Sequence, residues 1–139
     1  MTTLLSVSPT TALSTTTGTV YYYGRRQIDR AACIQGNFTY GSGGTSFDAY
    51  VQTSMDGGNT WTDIAQFHWM TSSARAVYNL SSLTVHTSAI TPTDGSLSAN
   101  SAVDGAIGDR LRVKYQSAGT YSTTSVAIDC ITDQLTTYP

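Results

Sequence analysis

The chain has 139 residues, the size of one ordinary domain, with 7 Lys and Arg against 9 acids and a net charge of -2. That balance excludes a basic nucleic-acid surface and a polyacidic tail alike. All the acids are Asp, Lys114 is the only lysine, and 41 residues are Ser or Thr; the usual stuff of surface helices is missing, so the composition predicts an all-β protein with a binding or structural role.

Residues 1–18 are rich in Thr and Ser, contain Pro9, and offer only Leu4, Leu5, Val7 and Leu13 for burial. They are expected to form an extended arm held by a neighbouring subunit. The same stretch has no positive start and no continuous apolar block, so it predicts no secretory signal and points to assembly in the cytoplasm. No run anywhere approaches the ~18 apolar residues of a membrane span.

From residue 19 to 139 the chain reads as one sandwich domain with a period of two. Residues 19–23 are a short β-branched and aromatic run. Ala32, Ile34, Gly36, Phe38 and Tyr40 alternate with Cys33, Gln35, Asn37 and Thr39 before a Gly-Ser-Gly-Gly turn. Phe47, Ala49, Val51 and Thr53 follow, and after Asp56-Gly57-Gly58-Asn59 the chain returns through Trp61, Ile64, Phe67 and Trp69. Residues 76–80 and 83–90 read as weaker strands, and residues 91–108 as a loop. Leu111, Val113 and Tyr115 alternate with Arg110, Arg112 and Lys114, and Val126, Ile128 and Cys130 share one face of a last strand. About eight strands at this spacing predict an antiparallel β-sandwich, jelly-roll-like. Such a sandwich has open edges, and this chain has little charge to blunt them, so cover by another subunit is expected. Cys33 and Cys130 read as free thiols; a bridge stays open because their strands could pair.

The sharpest motif is Ser54-Met55-Asp56-Gly57-Gly58-Asn59-Thr60-Trp61, with Ser54, Asp56, Gly58, Thr60 and Trp61 at its specified positions. It resembles the Asp-box hairpin of sialidases and other β proteins. There it recurs and sits away from the active site; here it occurs once, as a turn-stabilising device. His68 and His86 stand 18 residues apart in sequence, too isolated for a metal centre. The Asp-Gly pairs at Asp56, Asp94 and Asp104 lack calcium-loop spacing and read as turns. No nucleophile elbow or paired-carboxylate signature is present, so no catalytic residue, metal or cofactor is expected. Arg25 and Arg26 follow Tyr21, Tyr22 and Tyr23, and Arg and Tyr favour protein interfaces. Together with Leu4, Leu5 and Val7 they are the candidate subunit contacts. Arg110, Arg112 and Lys114 form a cationic row that expects a carboxylate or solvent.

Residues 47–67 (FDAYVQTSMDGGNTWTDIAQF), 108–115 (GDRLRVKY) and 119–121 (GTY) resemble small strand-rich proteins of tailed bacteriophages and prophages. The resemblance implies a non-enzymatic virion protein, foremost a capsid decoration or cement protein. Its partners would be the major capsid protein, other virion proteins and copies of itself, with a trimer favoured and neither nucleic acid nor membrane engaged. A tail or head–tail-junction component is the first alternative. The second is a carbohydrate-binding module presenting Trp61, Trp69 or the tyrosines as a platform.

Overall fold

The computed structural model describes residues 1–24, 30–132 and 135–137. Among them the strand-forming runs give β1 (Thr2–Val7), β2 (Thr16–Thr17), β3 (Tyr21–Tyr23), β4 (Ala31–Thr39), β5 (Ser42–Gly43) and β6 (Ser46–Ser54). The later strands are β7 (Thr62–Trp69), β8 (Ala74–Ser81), β9 (Arg110–Ala118), β10 (Tyr121–Ser122), β11 (Ser125–Ile131) and β12 (Leu135–Thr137). No described segment is a helix long and apolar enough to cross a membrane.

Every ladder is antiparallel. One sheet runs β1-β11-β4-β8; the other runs β12-β3-β9-β6-β7, with β2 also on β9; β5 and β10 form a small pair. The protein is an antiparallel β-sandwich. That coarser description is what the strand order supports, without the jelly-roll refinement.

The core lies between the two large sheets. On β4 the period of two is kept, with Ala32, Ile34, Gly36 and Phe38 turned inward. Phe38 stacks on Trp69 from the facing sheet with ring centres 5.4 Å apart, and Trp69 stacks on Phe67 at 5.2 Å. Gly36 makes room for those rings: a Cβ there would stand 2.8 Å from both Phe67 and Trp69. β6 and β7 depart from alternation because both their faces are covered.

Residues 1–18 correct the expected arm. β1 pairs with β11 at the edge of the four-stranded sheet. A register shift between Thr3 and Leu5 turns adjacent Leu4 and Leu5 into the core, where they are 3% and 7% exposed. Farther on, Ser117 N donates to Leu13 O and Gly18 N to Val113 O, which straps the segment along β9. The expected strand at 83–90 is also absent: Leu83 and Val85 alternate but meet no apolar layer and stay exposed.

The strands of the two cysteines do pair, yet the thiols are free. Cys33 lies opposite Ile131 and Cys130 opposite Ile34, so the two side chains occupy opposite faces of the sheet. Cys33 is exposed; Cys130 is buried, and burial pushes its thiol pKa up to about 12.

Candidate docking surface

The Asp-box residues build the β6–β7 turn as their types require. Thr60 N and Oγ1 donate to the Asp56 carboxylate at 2.8 and 2.6 Å, and Ser54 Oγ donates to it at 3.0 Å. The Thr60 hydroxyl bond leads in holding the Asp56 carboxyl below its ordinary value. Gly58 N donates to Ser54 Oγ, Trp61 Nε1 donates to Gly58 O, and Gly57 and Gly58 take φ of 75° and 90°.

β7 would be an open edge, but the chain covers it with its own 91–108 loop. Asp63 N donates to Thr93 O, Gln66 N to Ser101 O, and Val103 N to Ile64 O. His68 N donates to Asn100 Oδ1, and Asn100 N to Gln66 Oε1. Asp63 is the hub. Its fully buried carboxylate accepts from Gly95 N, Ser96 N, Leu97 N, Thr93 Oγ1 and Gln52 Nε2, at 2.8–3.1 Å. A buried charge needs such partners, so this side chain organises the loop.

Two members of the cationic row of β9, Lys114 and Arg112, find polar partners. Lys114 Nζ lies 2.9 Å from Asp94 Oδ1. A bond from Gln52, and then Lys114, hold the Asp94 carboxyl below its ordinary value. Arg112 Nε donates to Gln52 Oε1, and its guanidinium lies 4.1 Å from the centre of the Trp61 ring. With Trp61 covered in this way and Trp69 only 4% exposed, neither tryptophan offers an open platform for a sugar.

His68 Nδ1 sits 2.6 Å from Asp48 Oδ1, and Gln66 Nε2 donates to the same oxygen, so this histidine belongs to a polar network on β6 and β7. Asp104 caps Ser81 N and accepts from Thr84 Oγ1, as a turn residue does. Among the described residues no three His, Cys, Asp or Glu side chains gather as metal ligands.

The expected subunit contacts disperse. Leu4, Leu5 and Tyr23 are buried in the protein's own core; Val7 and Tyr21 pack against it, and Tyr22 is half-buried. Arg25 and Arg26 lie outside the described residues. Tyr22 and Tyr23 instead help to line a cleft of about 790 Å³ together with Gly24, Arg30, Asp109, Arg110 and Thr136. The Arg110 guanidinium stands 4.7 Å from the Tyr22 ring centre and that of Arg30 5.8 Å from Tyr23.

β8 is the contrasting edge. Among the described residues it pairs with β4 alone. Ser82 N donates to Arg30 O at 2.7 Å, one step beyond the ladder, and this fixes the alternation. Ala74, Ala76, Tyr78 and Leu80 bond to β4, while Arg75, Val77 and Asn79 aim their N–H and C=O groups off the sheet. Those three have no backbone partner among the described residues. Val77 is 59% exposed. The strand has eight residues, no Lys and no Pro, and no register shift interrupts its ladder. The adjoining outer face, made by alternate residues of β8, β4, β11 and β1, carries Arg75 and Asp129 as its only charges. No family model, no curated protein and no solved structure matches this chain.

Proposed function

We propose that this chain is a non-enzymatic structural protein of a phage virion, a capsid decoration or cement protein that strengthens the head by bridging its subunits. The observation that carries the reading is the β8 edge. A long, unbulged, charge-poor edge invites another strand, and natural proteins ordinarily guard against that with Lys, Pro or a bulge. Here Arg75, Val77 and Asn79 present open backbone groups beside a nearly uncharged face, the equipment for strand addition by the major capsid protein, another virion protein or a further copy of the chain. Many such contacts repeated by symmetry, with a trimer as the favoured unit, would add up to firm attachment without one tight site. The phage resemblance of residues 47–67, 108–115 and 119–121 supports the virion setting, and a jelly-roll arrangement of the sandwich belongs to the same reading.

The test uses heads purified without the chain and then supplied with it. Wild-type protein is expected to co-sediment with the heads and to raise the temperature at which they open. V77K/N79K protein, folded but with two lysines on the edge, is expected to do neither. Heads that neither bind the wild type nor gain stability from it would refute the cement role. Image reconstruction separates the alternatives, since a ring at the head–tail junction or in the tail would replace cement with connector.

A further inference from the structure

We infer that the cleft between β3, β9 and β12 is a binding site for a hydroxyl-rich ligand, a sugar. This goes beyond the docking role and uses a different part of the molecule. Three buried side-chain atoms among the described residues lack a hydrogen-bond partner: Arg30 Nε, Arg110 Nε and Asp109 Oδ1. All three belong to residues lining this one cleft. Buried polar atoms are nearly always satisfied, so three orphans among the residues that line one cleft mark a place built to meet polar groups from outside. Arg110 and Asp109 do not satisfy each other, because Arg110 Nε stands 3.7 Å from Asp109 Oδ2, too far for a hydrogen bond.

The mixture of orphans selects the ligand. Two are donors and one is an acceptor. A carboxylate can only accept, so it would leave Asp109 Oδ1 unpaired, and a carboxylate or phosphate alike would bring its negative charge against that of Asp109. A hydroxyl both donates and accepts, and neighbouring hydroxyls on a sugar ring can bond Asp109 Oδ1 and an arginine Nε together. Tyr22 and Tyr23 add apolar wall, and Thr136 a further hydroxyl. At about 790 Å³ the cleft falls within the roughly 300–1,000 Å³ of small-molecule sites.

Arg110 is also held in place. Its guanidinium stands over Tyr22 on one side, and on another lies close enough to the Asp-box turn that a Cβ on Gly58 would stand 3.1 Å from Nη1. The turn motif thereby acquires a role in positioning a binding residue.

The test is a titration of the isotopically labelled full chain with methyl α-glucoside, methyl β-galactoside, mannose and N-acetylglucosamine, with acetate and phosphate as comparators. At least one sugar is expected to shift the amides of Tyr22, Gly24, Asp109 and Arg110 saturably, while acetate and phosphate leave them in place. D109N and R110Q should each weaken that binding by about tenfold, the scale of losing a hydrogen bond to a charged group. R30Q serves as the independent variant if R110Q disturbs the Tyr22 contact, and unchanged amide shifts elsewhere establish folding. Saturation by no sugar, tighter binding of acetate or phosphate at the same amides, or wild-type affinity in the folded variants would each overturn the assignment. Head binding by V77K/N79K is a separate readout, so failure here leaves the docking proposal standing and the reverse holds as well.

Discussion

The edges β7 and β8 end the two facing sheets, and the molecule treats them oppositely. Over β7 the 91–108 loop supplies the missing partner, with Thr93, Ser101 and Val103 in backbone bonds and Asn100 in side-chain ones. Over β8 nothing comparable is laid down among the described residues, where Ser81 N at its end is capped by Asp104. An edge closed from within needs no partner; one left unguarded in the same small protein is available for docking. The difference cannot be blamed on a lack of chain, since a loop of similar reach was spent on β7.

The largest effect should come from opening the closed edge. D63A strips the hub from five donor groups and should cost about 3 kcal/mol or more, read by urea denaturation. Proteolysis should then cut within 91–103. D63N, which keeps one acceptor oxygen, should lose less; equal stability of D63A and wild type would mean the loop is held by its backbone bonds alone.

Acid should act next, through Asp94 in the loop over β7 and Asp104 at the end of β8. Asp94 and Asp104 have carboxyl pKa values below their ordinary range, so their contribution is complete above the unfolded value of about 3.9 and fades as pH falls through the lower folded values. The thermal midpoint is therefore expected to hold near neutrality and drop below about pH 4. D94N should flatten part of that drop. An unchanged midpoint at pH 3 would contradict the role given to these bonds.

At the open edge the effect on stability should be small. V77K/N79K changes two exposed side chains and should move the unfolding free energy of the isolated protein by no more than about 0.5 kcal/mol per site. A larger loss would show that the edge already has a partner within the chain. The cysteines test the faces beside that edge with almost no energetic cost. A thiol reagent should label Cys33 at once and Cys130 only on unfolding, because Cys130 is buried and its thiol is pushed up to about 12. Equal labelling of both would contradict the register of β4 on β11.

Much of this fold can be read in the sequence because period two is honest wherever one face is buried. β4 and β11 follow it residue by residue and β9 does so from Arg110 to Val113, and the Asp-box turn is local enough for eight residues to specify it. β1 escapes such reading because its bulge puts neighbours Leu4 and Leu5 on the same side, which looks aperiodic. The segment 83–90 misleads in the opposite sense, since Leu83 and Val85 alternate with nothing to face. Asp63 carries no signature at all; its partners lie some thirty residues on and are mostly backbone N–H groups. The cleft is similarly silent, because Tyr22 and Tyr23 lie on β3, Arg30 directly precedes β4 and Asp109 directly precedes β9, and only the folded chain gathers them. The β8 edge does leave a trace, in the absence of Lys and Pro from residues 74–81, but that trace gains meaning only once the strand order puts β8 last.

Amide hydrogen exchange of the isolated chain and of the same chain mixed with phage heads, the particle of the proposal, bears most directly on the open edge. In isolation the amides of Arg75, Val77 and Asn79 should exchange rapidly, while those of Ala76, Tyr78 and Leu80 are protected by β4. In the particle the first three should become as slow as the second three. Rapid exchange at Arg75, Val77 and Asn79 in the assembled state would contradict docking at β8.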